Sequence, residues 1–65
     1  MSGIFYDPAA RRLHAVHTNP EPSWTLVTHN LDANLHHCRR IMREWLPQEE
    51  LFHIDWTINR ERLSA

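Results

Sequence analysis

Residues 23–46 read SWTLVTHNLDANLHHCRRIMREWL, and the chain changes character within them. Trp24 to His29 is dense in aromatic and β-branched residues, the composition of a strand. From Leu31 the apolar residues recur instead at three- and four-residue steps: Leu31, Leu35, Cys38, Met42 and Trp45, with Ile41 and Leu46 widening the stripe. At about 100° per residue these seven fall within an arc of about 140°, the width expected of a helix lying on a sheet. Asn30 or Asp32 can cap this helix, and Pro47 ends it. Arg39, Arg40 and Arg43 occupy its C-terminal half, where the helix dipole favours cations. One strand handing over to one single-stripe helix predicts an α+β domain.

Upstream, Gly3 to Tyr6 reads as a strand and Asp7-Pro8-Ala9-Ala10 as a type I turn with Pro in its second position. Arg12 to His17 alternates polar and apolar residues, as the return strand of a hairpin does. Two prolines make residues 18–23 a loop. Downstream, Gln48-Glu49-Glu50 reads as an exposed link. Leu51 to Asn59 then alternates Phe52, Ile54, Trp56 and Ile58 with His53, Asp55, Thr57 and Asn59, which predicts a final strand. Residues 60–65 form a polar tail. The predicted fold is a four-stranded, mostly antiparallel sheet with one helix on one face, in the order β-β-β-α-β. A right-handed crossover sets the last strand parallel to the third, and pairing with the first gives a sheet order of 4-1-2-3. The alternative places the last strand at the other edge.

This order of elements resembles the small HicB-type antitoxin domain, in which three strands precede one helix and one further strand. SWTLVTHNLDANLHHCRRIMREWL occupies the place of that family's third strand and helix. The resemblance is one of layout over most of the chain. The glycines and the proline that mark the family's third-strand region are missing here. It implies a regulatory, antitoxin-like role as an alternative function.

Sixty-five residues make one domain near the lower limit for folding without help, where a disulfide, a metal or a second subunit often contributes. A lone Cys38 excludes an internal disulfide. No secretory pattern, lipid-anchor signal or membrane-length apolar run is seen, so a soluble cytoplasmic protein is expected. Seven basic residues, all of them Arg, face eight acidic ones, a balance that argues against a dedicated nucleic-acid binder. The single Gly excludes glycine-rich phosphate loops.

Alternation sorts the strands into two faces. Phe5, Leu13, Ala15, Trp24, Leu26, Phe52, Ile54, Trp56 and Ile58 are expected beneath the helix. The open face then carries Ile4, Tyr6, Arg12, His14, Val16, Thr25, Val27, His29, Leu51, His53, Asp55 and Thr57. His14, His29 and His53 with Asp55 have the donor types zinc accepts, but a flat sheet diverges its side chains and no compact ligand spacing supports a metal. Consecutive His36, His37 and Cys38 point about 100° apart on a helix, so they cannot clamp one ion. Cys38 belongs to the core stripe, which removes it as a nucleophile. The pair His53–Asp55 has no nucleophile or oxyanion site beside it. Neither enzyme, cofactor nor bound metal is expected.

What remains is an open face too apolar for solvent, since Ile4, Tyr6, Val16 and Val27 lie outward on it. The expectation is a homodimer or a protein partner docked there, with Tyr6, Arg12, His14, Val16, Val27, His29 and His53 in contact. A one-residue shift of the first hairpin would move the apolar side chains inward instead. The alternative interface is nucleic acid on His36, Arg39, Arg40 and Arg43. The competing reading of those residues is a solvated helix face.

Overall fold

Gly3–Asp7, sequence GIFYD, becomes β1, a strand buried along its whole length. Only a central strand covered on both faces buries five consecutive residues, and β1 is central. The computed structural model describes residues 1–60. β1 pairs antiparallel with β2 (Arg12–Val16) on one side and with β3 (Thr25–Thr28) on the other. β4 (Ile58–Arg60) adds parallel to β2, giving the order β3-β1-β2-β4. The α+β class and the four-stranded sheet are as the sequence predicts. The order 4-1-2-3 is corrected: the two edge strands exchange neighbours. β4 still runs parallel to β3, as the crossover rule requires, because both lie antiparallel to β1.

The exchange has a consequence for the chain between β2 and β3. β2 ends at Val16, opposite Gly3, whereas β3 begins at Thr25, opposite Tyr6. Residues 17–24 must therefore travel back along the sheet and across β1. Trp24 stacks on His14, which places the end of this crossing on the face away from the helices. The face expected to be open is covered.

The hairpin register supplies a second correction. Pairing of Ile4 with Ala15 and of Tyr6 with Leu13 puts these four side chains on one face. They join Val27, Ala33, Cys38, Met42, Leu51 and Ile54 in the main core beneath the helices. Phe5, Trp24 and Leu26, expected on that side, face the other way with His14. The reason is the turn. Asp7 pairs with Arg12 across four residues, closed by the Arg11 amide donating to the Asp7 carbonyl at 2.8 Å, with Arg11 in the left-handed region at φ 56°.

The helix is shorter than its stripe. α1 spans Leu35–Met42, capped by Asn34, whose Oδ1 accepts from the His37 amide at 2.8 Å. Asn30 caps nothing helical, because its side chain closes a tight turn by accepting from the Asp32 amide. Beyond Met42 the chain winds through turns to Leu46. Pro47 does not lead into a link and a strand. It opens a second helix, α2 (Gln48–Phe52), with Glu49 and Glu50 in the first turn. The strand predicted over Leu51 to Asn59 is thus helix to Phe52, irregular to Thr57, and strand only from Ile58. Arg60, expected in the tail, belongs to β4, and its guanidinium donates to the Leu31 and Ala33 carbonyls. The rest of that tail lies outside the described residues.

Candidate interaction surface

On the face away from the helices, the sheet holds a polar cluster. His14 Nε2 lies 3.0 Å from Asp7 Oδ2, both residues being 9% exposed. Asn59 Nδ2 approaches His14 Nδ1 at 3.4 Å, so the neutral ring carries its proton on Nε2 and donates it to Asp7. The Trp24 ring covers the imidazole at 4.2 Å between centroids, within 3° of parallel. Burial alone pushes the Asp7 carboxyl up. The hydrogen bonds from the Ala10 amide, His14 and the Ala9 amide outweigh it and hold the carboxyl below its ordinary value. A buried Asp–His pair suggests general-base chemistry, but both ring nitrogens and one ring face are occupied, and among the described residues no hydroxyl or thiol bonds the imidazole. The cluster fastens the crossing chain to the sheet.

The seven residues expected in contact with a partner do not form one surface. Tyr6 and Val27 are in the core beneath the helices, and Val16 is buried with Phe5 on the opposite side. His14 is enclosed as described. Arg12, His29 and His53 are exposed but lie on β2, after β3 and after α2 respectively. Arg12 meets Asp55 at 3.6 Å, a half-exposed pair that contributes under about 1 kcal/mol. The exposed apolar patch on the sheet therefore does not exist: Ile4, Tyr6, Val27 and Leu51 point into the helix-side core. His14, His29 and His53 do not converge, and among the described residues no group of three or more His, Cys, Asp or Glu is placed to hold a metal. Cys38 is fully buried, and burial pushes its thiol up against a smaller opposing pull from Arg60.

The accessible apolar surface is on the helical side. Phe52 is 84% exposed, the most exposed large hydrophobic among the described residues, and Trp45 is 40% exposed. Beside Phe52 opens a cleft of about 470 Å³ lined by Arg39, Arg43, Leu46, Gln48 and Leu51. Its floor is held from below. Trp56 donates its indole N–H to the Leu51 carbonyl at 3.3 Å, and the Arg39 guanidinium lies over the Trp56 ring, 5.4 Å from its centroid. Arg43 follows Arg39 by one helical turn, so both guanidinium groups address the same cleft. Neither meets a carboxylate within ion-pair distance among the described residues. Tyr6 anchors the neighbouring turn: its hydroxyl donates to Glu50 at 2.7 Å, and burial followed by this carboxylate pushes the phenol up to about 12.

Of the four residues of the alternative interface, Arg39 and Arg43 line this cleft, Arg40 lines a shallower one with His37, Ile41 and Glu44, and His36 is exposed on the same helix. Sequence reasoning missed Phe52 as a surface residue because it read Leu51 to Asn59 as a strand. The signal was present in Pro47-Gln48-Glu49-Glu50, a helix start that places Phe52 one turn beyond Gln48 on the polar side. Comparison with protein-family models, with curated proteins and with solved structures finds no match. Among the described residues no helix is long and apolar enough to cross a membrane.

Proposed function

We propose that this chain is a non-enzymatic protein-interaction module that docks through its helical face, with Phe52 as the anchor. The observation that carries this reading is Phe52 itself, 84% exposed at the lip of a cleft it helps to line. Burying a phenyl side chain is worth about 1.5–3 kcal/mol, which a marginal domain leaves unused unless another surface supplies the burial. A single exposed apolar residue is ordinary. An aromatic beside a cleft of mixed lining, Leu46 and Leu51 with Gln48 and two arginines that meet no carboxylate among the described residues, combines the aromatic and Arg groups that interfaces favour. The same arginines suit phosphate, yet Glu44 and Glu49 are exposed on the same helical side and repel a polyanion, which favours a protein.

A photo-crosslinking side chain placed at Phe52 in cells tests the reading, with the same group at exposed Thr18 in the crossing loop as control. Protein adducts from position 52 and none from position 18 are expected. Absence of adducts from position 52 removes the helical face as a docking surface.

A further inference from the structure

We infer that the occupant of this face is a second copy of the chain, in a two-fold dimer that seats Phe52 of each subunit in the cleft of the other. This rests on the helical face being the docking surface and adds the identity of the partner. A two-fold interface brings one patch against itself, so the patch must carry both a projection and its receptacle. Here the projection is Phe52 and the receptacle is the adjoining cleft between Arg39, Arg43, Leu46 and Leu51. A volume of about 470 Å³ is ample for one phenyl ring, and two guanidinium groups at its wall offer that ring the contact Arg39 already makes with Trp56.

Charge points the same way. α1 carries Arg39 and Arg40, with Arg43 at its C-cap and exposed Glu44 after it, whereas α2 carries Glu49 one turn before Phe52. Arg43 at the cleft and exposed Glu49 beside Phe52 are opposite charges on one patch, so a two-fold arrangement offers the Glu49–Arg43 pairing twice, once on each side of the axis. A foreign partner would have to reproduce both the knob and the alternation of charge. A second copy has them by symmetry.

Sedimentation equilibrium of the purified full chain tests the dimer. Wild type is expected to sediment as a dimer, and Phe52→Asp to raise the dissociation constant by about thirtyfold or more while retaining the wild-type circular dichroism, since the side chain is outside the core. Arg43→Glu and Glu49→Arg are each expected to weaken association about tenfold, and the double exchange to restore it to within about threefold of wild type. A wild-type chain monomeric at about 1 mM overturns the dimer, as does a dimer indifferent to Phe52→Asp or a double exchange that restores nothing. A monomeric chain that still crosslinks to another protein from position 52 overturns the second copy and leaves the docking face standing.

Discussion

Gly3 is the one glycine of the chain, and its backbone sits at φ 155°, where L side chains rarely go. A Cβ there would lie 2.6 Å from the Thr28 carbonyl oxygen and 3.3 Å from His29 Cα, both backbone atoms that cannot step aside. The residue lies beside the irregularity between Ile4 and Phe5 where β3 pairs with β1. Gly3→Ala is therefore expected to cost about 2–3 kcal/mol in urea unfolding, and an unchanged midpoint would contradict the close approach. Asp7 supplies a second test. Its folded carboxyl is held below its unfolded value, so the stability it adds is complete above the unfolded value and drains away as pH falls through the folded one. Unfolding free energies measured from pH 6 down to pH 2 should fall less steeply for Asp7→Asn than for wild type. The Asp-Pro turn was readable from sequence, and Asp7 Oδ1 does accept from the Ala9 and Ala10 amides. The partnership with His14 was not, because it depends on which face each strand presents.

At the level of elements, the apolar stripe of α1 was visible and its limits were not. Three residues of similar capping power, Asn30, Asp32 and Asn34, stand within five positions, and only the turn made by Asn30 decides among them. Asn34→Ala is expected to cost about 1 kcal/mol, while Asp32→Ala, an exposed side chain with no cap to lose, should leave thermal unfolding nearly unchanged. α2 escaped because its last residue begins a period of two: Ile54, Trp56 and Ile58 do turn towards the core, although only Ile58 does so from a strand. The crossing segment 17–24 is an element of another kind, held by its packing. Trp24→Ala removes the cover from His14, and cleavage of this segment by a dilute protease is expected to accelerate relative to wild type.

For the whole molecule, the sheet and its class followed from local pattern, whereas the strand order and the buried faces followed from pairing between distant segments. A shift of one residue in the first hairpin exchanged Ile4 and Tyr6 for Phe5, and with them the proposed contact surface moved from sheet to helices. Should two copies associate as inferred, the unfolding temperature of wild type rises with protein concentration and that of Phe52→Asp does not, as mass action requires. The path of residues 17–24 also dictates a sequence of assembly. β1, the first strand in the chain, completes its pairing only when β3 arrives, and among the described residues β3 has no neighbour in the sheet except β1. Closing four residues between β1 and β2 costs less entropy than closing the longer path to β3, so the hairpin of β1 and β2 is expected to zip first, with one side of β1 still bare. The later strand then closes that side, drawing its leading segment across the finished hairpin like a strap pulled tight last.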